Sequence, residues 1–425
     1  MSYLCSTMSK QQKIELMAPA GSYEAMMAAI HAGCDSVYFG VEQFNMRARA
    51  TMNFTLDDLE KIGNICKENN VRSYLTLNTI VYDHDLSAIK TVLDTAKASG
   101  ITAVIASDQA VIAYARSIQM EVHISTQVNI TNIETVKFYA LFAETMVLSR
   151  ELSLLQVKKI CTQIEKENVC GPSGKLIEIE IFVHGALCMA VSGKCYLSLH
   201  TANASANRGA CVQNCRRTYT VIDNEDGHEL AIDNEYIMSA QDLCTIDFLN
   251  QVIESGVKVM KIEGRGKGAD YVKTTVECYR EAIDAYYDNT YTKEKVEDWM
   301  ERLKRVYNRG FWSGYYLGQE LGEWNDTAGS KATSKKLYLG KGTNYFDKIQ
   351  VAEFKLESFE VSVGDTVLIT GPTTGAVEVV IEELHTDNGA VQTAKKGDKC
   401  AFKLTTPIRS SDKLYKIINE TVAAH

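Results

Sequence analysis

Short apolar runs alternate with segments of helical periodicity along the first two-thirds of the chain. The runs are Ile14–Ala18, Ser36–Phe39, Arg72–Leu77, Ala103–Ala106, Glu121–Ile124, Thr145–Leu148, Ile177–His184 and Lys258–Ile262. Between them, SYEAMMAAIHAG, TLDDLEKIGNICKENN, SAIKTVLDTAKASG, DQAVIAYARSI, NIETVKFYALF and SLLQVKKICTQIEKE carry apolar residues at three- and four-residue spacing, and ADYVKTTVECYREAIDAYY follows the last run. Thr55 is placed to cap the second helix, and Gly100 ends the third. Strands that alternate with helices of this length predict parallel βαβ units. Eight repeats predict a (β/α)8, TIM-like barrel rather than an open doubly wound sheet. The seventh run is the exception. More than 70 residues separate it from the eighth, and function in this architecture sits on the loops that follow strand C-termini.

From about Lys335 the pattern becomes one of short, alternating, turn-punctuated runs (LYLGKGT, IQVAEFKL, DTVLITGP, GAVEVVIEEL, GAVQTA, KCAFKL), which predict a small all-β, barrel-like domain. The expected layout is therefore a (β/α)8-type domain over 1–330, with a cysteine-rich insertion at 185–250, and a β-domain over 335–425. The chain carries 45 Lys+Arg against 54 Asp+Glu, a net charge of −9, which excludes nucleic-acid binding through bulk positive charge but not through a local patch. The β-domain is charge-neutral and holds the basic stretch Lys395, Lys396, Lys399 and Lys403, read as a solvated face or as a docking surface for RNA. With 45% apolar and 23% charged residues the composition is that of a soluble globular protein. No apolar run approaches the ~20 residues that span a bilayer, and MSYLCSTMSKQQK has no apolar signal-peptide core, so a cytoplasmic location without membrane partners is expected.

In that compartment the 12 cysteines should not form disulfides, and their clustering becomes informative. Cys188, Cys195, Cys211 and Cys215 fall within 28 residues, in GALCMAVSGKCYLSLHTANASANRGACVQNCRRTY. The spacings C-x6-C and C-x3-C match neither zinc-ribbon knuckles nor bacterial ferredoxins. Three readings stay open at this point: an iron–sulfur cluster, a tetrahedral zinc ion, or buried, reduced packing cysteines. Gly185, Gly193 and Gly209 each precede a cysteine by two or three residues, where they let backbone fold tightly around a bulky group, and Arg208, Arg216 and Arg217 would offset thiolate charge. There is no G-x-S-x-G and no H-E-x-x-H. His184 and His200 flank the cysteines and could activate one as a nucleophile, but four clustered thiols suit ligation better.

The stretch EIFVHGALCMAVSGKCYLS resembles the signature of peptidase family U32, the collagenase-like proteases. The resemblance covers almost the whole chain, since ELMAPAGSYEAMMAAIHAGCDSVYFG, FNMRARATMNF, STQVNITN, LSREL, NRGACVQNCRRTY, KIEGRGKGADYV and NRGFWSGYYLG follow in the family's order. Within the family, length and layout are most similar to the tRNA hydroxylation proteins, which form 5-hydroxyuridine at the wobble position using prephenate and an iron–sulfur cluster. Other members hydroxylate a ribosomal RNA cytidine or act in oxygen-independent ubiquinone synthesis. The resemblance implies a 4Fe–4S cluster on Cys188, Cys195, Cys211 and Cys215, with Cys244 in AQDLC as a reserve ligand, and tRNA and prephenate as transient partners.

A dicarboxylate co-substrate favours arginine forks. Arg47, Arg49, Arg150 and Arg265 all lie past strand ends, the last two nearest. Asn78, Asp108, Ser125, Gln127 and Asn129 follow strands three to five and could position a substrate or simply cap loops. Lys261 and Glu263 share a strand face and could pair at the mouth, His184 is a candidate acid–base group, and His123 reads as a core histidine. Tyr196, Tyr219 and Tyr271 could stack a base.

Overall fold

The computed structural model describes residues 13–42, 44–46, 54–220, 224–225, 238–318, 323–326 and 329–419. Strands β1 (Glu15–Pro19), β2 (Ser36–Gly40), β3 (Arg72–Leu77), β4 (Ala103–Ala106), β5 (Glu121–Ile124), β6 (Thr145–Val147) and β7 (Glu178–Ala186) run side by side and parallel. After a short β8 (Asp242–Cys244), strand β9 (Val259–Ile262) pairs in parallel with both β1 and β7 and closes the ring. The eight parallel strands of the TIM-like barrel are therefore the eight anticipated from the hydrophobic pattern. The insertion returns along β8, which pairs antiparallel with the last residues of β7 and in parallel with β10 (Phe311–Trp312).

Period two along each strand sorts the side chains. Leu16, Val37, Leu75, Val104, Val122, Met146, Ile179 and Met260 are buried in the large outer core beneath the helices. The opposite parity points into the barrel, where Met17, Tyr38, Tyr74, Ala103, Ile105 and Val259 form a separate apolar cluster. The surrounding helices are α1 (Tyr23–His31), α2 (Asp58–Glu68), α3 (Leu86–Ala98), α4 (Gln109–Ser117), α5 (Ile133–Ala140) and α6 (Leu154–Glu167). Local caps set several of their starts: Ser22 accepts from Ala25 N, Asp108 from Ala110 N, Asn132 from Thr135 N, and Ser153 with Gln156 forms a capping box. Thr55 does not cap α2. Its N–H and hydroxyl instead donate to Asp58, which stands inside the helix. A short helix, α7 (Leu197–Ala202), lies in the cysteine loop, and α8 (Leu249–Glu254) takes the crossover position before β9. The long α9 (Ala269–Tyr287) and α10 (Lys293–Arg305) follow.

Residues 334–419 build an eight-stranded antiparallel sheet and a separate two-stranded ladder. Among the described residues no ladder joins the sheet's two edge strands, so the module is an open sheet around its own core of Leu339, Phe354, Ile369, Phe402 and Leu414 rather than a closed barrel. It docks on the barrel's flank, where Leu368 and Ala376 pack against Ala28 of α1 and Ala269 of α9. The Lys336–Asp270 and Arg305–Glu378 pairs, each at 2.7 Å, rim the contact.

The hairpin that makes this contact turns at Gly375, whose φ is +70° and whose missing Cβ would lie 2.7 Å from the Ala28 backbone nitrogen. Gly375→Ala is expected to lower stability by about 1–3 kcal/mol, because left-handed backbone and a backbone clash coincide. Urea denaturation that showed no loss would contradict this seating of the sheet on α1.

Candidate active site

The inward parity of the strands continues to their C-terminal ends and lines a cavity of about 160 Å³ at the barrel mouth. Tyr38, Thr76, Asn78, Ile105, Ser125, Val147, Phe182, Lys261 and Glu263 supply its floor and walls, and the insertion after β7 closes over it. Cys188, Cys195, Cys211 and Cys215 all face this cavity, as do Arg150, Arg265 and Gln127.

Three anchor points, at Ser192, Arg208 and Arg216, seat the cysteine loop. The buried Ser192 hydroxyl accepts from Arg150 Nη2 at 2.9 Å, while its carbonyl accepts from Asn129 Nδ2 at 3.1 Å. Arg208 reaches across to the Ile80 carbonyl at 3.0 Å and to Asp85, with Tyr82 beneath its guanidinium at 4.2 Å. Arg216 donates to the Leu187 carbonyl at 2.6 Å and the Ser239 hydroxyl at 3.0 Å. Gly185, Gly193 and Gly209 have φ of +105°, +74° and +79°, so each of the glycines singled out before a cysteine bends the loop through left-handed backbone. A Cβ on Gly193 would lie 2.4 Å from Gln127 Oε1.

None of the four thiols is in a disulfide. Burial pushes the Cys215 thiol up; the adjacent Arg216 guanidinium draws it back, and charge on Cys188, Cys211 or Cys195 would raise it further. The other three thiols thus lie within electrostatic reach of Cys215. Ser198 Oγ donates to Cys211 Sγ at 3.8 Å. Among the described residues no three His, Cys, Asp or Glu side chains gather around a single-ion position. As placed, the thiols border a space rather than a point. A polynuclear cluster takes thiolates on separate metals, so the donor set, the shared cavity and the neighbouring guanidinium fit a cluster better than one zinc ion.

Opposite the cysteines the wall is cationic. Arg265 is 6% exposed, and its Nη1 donates to Thr76 Oγ1 at 2.8 Å and Asn45 Oδ1 at 3.1 Å. Arg150 Nε and Gln127 Oε1 are buried with no hydrogen-bond partner among the described residues, as expected where a polar ligand completes the set. Lys261 sits over the Tyr38 ring at 4.4 Å and donates to Glu180 at 2.8 Å. Its partner is therefore Glu180 of β7, while Glu263 accepts from the Tyr38 hydroxyl at 3.0 Å.

Other candidates lie elsewhere. His184 is buried among Tyr271, Tyr279 and Phe311, outside the cavity lining, and Tyr279 Oη stands 3.4 Å from its Nδ1. The cause is a bulge: Phe182 pairs with Lys261, but His184 pairs with Ile262, so one extra residue turns His184 from the inward to the outward face. Cys244 is likewise a core thiol, 3.9 Å from Tyr279 Oη and 3.8 Å from Met300 Sδ, away from the four. Tyr196 is 73% exposed and outside the lining. Tyr219 and Tyr271 are tied to the backbone carbonyls of Asn214 and Glu263. Asp108 caps α4, Asn78 accepts from Met46 N at 3.2 Å at the cavity edge, and Asn129 braces the loop rather than lining the cavity. Arg47 and Arg49 lie outside the described residues. Tyr38, Thr76, Phe182, Glu180 and Ser192 were not anticipated. Strand parity marks the first four, whereas Ser192 has no sequence signal.

A family model described as peptidase family U32 matches residues 21–326. The chain belongs to that family. It is 54% identical over 402 residues, 95% of this chain and 97% of the relative, to a collagenase of Porphyromonas gingivalis. It is 30% identical over 391 residues, 89% of this chain and 88% of the relative, to tRNA hydroxylation protein P1 of Bacillus subtilis. It is 29% identical over 373 residues, 82% of this chain and 55% of the relative, to the 23S rRNA 5-hydroxycytidine C2501 synthase of Escherichia coli. Among the described residues no helix is long and apolar enough to cross a membrane.

Burial lowers His184 from 6.5 to about 3. Unfolded His184 takes up a proton near pH 6.5 while the folded side chain stays neutral, so stability falls as pH drops from about 6.5 towards 3, by at most ~1.4 kcal/mol per pH unit from this group. His184→Gln is expected to flatten that fall, measured as the difference in urea midpoint between pH 7 and pH 5; an equal fall in both proteins would contradict it.

Proposed function

We propose that the protein is an iron–sulfur-dependent enzyme that hydroxylates an RNA base, the substrate of first choice being a tRNA wobble uridine converted to 5-hydroxyuridine. The observation that carries this reading is the meeting, in one cavity, of four thiols with the guanidiniums of Arg150 and Arg265. Cys188, Cys195, Cys211 and Cys215 would hold a 4Fe–4S cluster, which supplies one-electron chemistry when bound. Arg150 and Arg265 would clamp the carboxylates of an anionic co-substrate of the prephenate type, since planar forks suit carboxylate geometry. Lys261, held upright by Glu180 and the Tyr38 ring, presents an ammonium to the same volume and can hold or deliver a proton. Phe182 and Ile105 keep the inner wall dry, which strengthens every charge contact there. Relatives named for tRNA and rRNA hydroxylation support RNA as the second substrate.

Peptidase activity is the second reading, favoured by the more similar relatives named collagenase. A cysteine peptidase needs a histidine beside its thiol, and among the described residues no histidine lines the cavity that holds the four cysteines. The site geometry therefore favours ligation over nucleophilic attack.

Anaerobic purification with iron and sulfide determination is expected to give about four of each per chain and an absorption band near ~400 nm. Single Cys→Ser changes at 188, 195, 211 or 215 should each reduce the iron, whereas Cys244→Ser should leave it unchanged. In a deletion strain, nucleoside mass spectrometry should show loss of 5-hydroxyuridine derivatives, restored by the intact gene but not by Cys195→Ser. Undiminished derivatives would remove the tRNA assignment. Gelatin cleavage that depends on one cysteine alone would favour the peptidase. With the reaction in hand, Arg265→Lys should raise the co-substrate KM at least tenfold, about 1.4 kcal/mol; an unchanged KM would place the anion elsewhere.

A further inference from the structure

A groove of about 560 Å³ runs between the barrel and the β-domain. Its barrel wall carries Lys267 just before α9, Lys273 within α9, and Arg302 and Arg305 in the last turn of α10. Its sheet wall carries Lys335 and Lys336 of the strand Ser334–Phe346. Among the described residues the lining holds these six cations against three acids, a surplus of three positive charges on a chain whose net charge is −9. The loop that leaves β9 joins the groove to the cavity: Glu263 and Arg265 line the cavity, and Gly266, Lys267 and Gly268 line the groove. Successive Cα atoms are about 3.8 Å apart, so the groove opens beside the cavity, at the C-terminal end of the strands.

Stapling two domains together does not account for this composition. Lys336–Asp270 and Arg305–Glu378 cross the groove, each at 2.7 Å. The third acid, Glu277, stays on the barrel side, 2.6 Å from Lys273 and 3.5 Å from Arg302. Three cations would match three acids in number, and the lining has twice as many. Ion pairs at a solvated surface contribute little to stability, so these can open to a ligand while the apolar contact of Leu368 and Ala376 with α1 and α9 keeps the sheet seated. Gly268 stands at the N-cap of α9 with no side chain to close it, and the positive end of a 19-residue helix opens on the same space. Beyond the Arg305–Glu378 pair a further hollow of about 690 Å³ continues along Lys304 and the sheet edge, so the channel outgrows a single small-molecule site. The basic stretch Lys395, Lys396, Lys399 and Lys403 has no place in this lining. Its strand, Lys399–Lys403, is separated from Ser334–Phe346 by Val351–Leu356, and Lys399 lies 3.4 Å from Glu353.

We propose that this groove grips the phosphodiester backbone of the RNA whose base enters the cavity. The proposal rests on the RNA reading given above. Lysines bind phosphates as point charges and arginines as planar forks, and neither reads sequence there. The β-domain is then one jaw of a clamp whose other jaw is the barrel flank, and the choice of base is left to the cavity.

Fluorescence anisotropy with end-labelled bulk tRNA and the full-length protein tests this. Lys267→Gln, Lys273→Gln and Lys335→Gln combined leave both cross-groove pairs in place. This variant should bind tRNA about tenfold more weakly at about 0.1 M salt, and its plot of log Kd against log salt should be shallower by about two. Lys395→Gln, Lys396→Gln and Lys403→Gln combined remove the same charge from the far half of the sheet and should change Kd less than about twofold. Equal losses in the two variants, or none in the first, overturn the proposal. Arginine at the three groove positions should restore binding. If the triple glutamine variant fails to fold, Lys335→Gln alone, at an exposed strand position, should still flatten the salt plot by somewhat under one, and an unchanged plot overturns the proposal. Adenosine monophosphate should not displace the tRNA; displacement would make the groove a site for free nucleotides and overturn the grip on a polymer. Polyglutamate that binds as tightly as tRNA would assign the surface to an acidic protein instead. The assay needs no hydroxylation. Binding lost in the groove variant, with no hydroxylated base in the cell, leaves the groove standing and removes the hydroxylase reading; unchanged binding with hydroxylation intact removes the groove alone.

Discussion

The closure of the barrel between β7 and β9 is the constraint on which the site depends. The ladder runs Glu180–Val259, Ile181–Met260, Phe182–Lys261, and then slips by one residue to His184–Ile262. Below the slip, Phe182 and Lys261 stand side by side on the inner wall. Above it, β7 leaves the ring, pairs antiparallel with β8, and sends the cysteine loop over the mouth. Without the slip His184 would continue the inward series, and its imidazole would stand in the cavity wall.

Two classes of interaction then share the work. Apolar burial between strands and helices makes the scaffold rigid, and it is insensitive to what the mouth contains. Polar contacts place the loop: Arg150 and Asn129 hold Ser192, Arg208 reaches Asp85, and Arg216 holds the Leu187 carbonyl. Arg150 serves both purposes, since the guanidinium that braces the loop also faces the cavity. An anion held at Arg150, as proposed, would thereby be coupled mechanically to the position of the cysteines.

The family name and the site's chemistry point in different directions, and the physical reason is accessible. Family membership follows from the match over residues 21–326, which takes in the barrel and the cysteine loop. Proteolysis requires an acid–base partner next to a nucleophile, whereas ligation requires several soft donors around a common space. The cavity suits the second requirement, with four sulfurs and, among the described residues, no histidine in its lining.

The hydrophobic pattern by itself determined the number, order and parallel sense of the barrel strands, because period-two burial and helical periodicity are local properties of a chain. It also marked the cysteine loop, whose glycines and thiols are legible as types and spacings, and it pointed to Arg150, Lys261 and Arg265 through their distance from strand ends. Tertiary structure alone decided which of these meet. The bulge in β7 turned His184 away; the outer core took Cys244; Glu180 rather than Glu263 became the partner of Lys261; and the β-domain stayed an open sheet among its described residues. Such outcomes depend on register between strands far apart in sequence, and a one-residue slip reverses the face of every side chain beyond it.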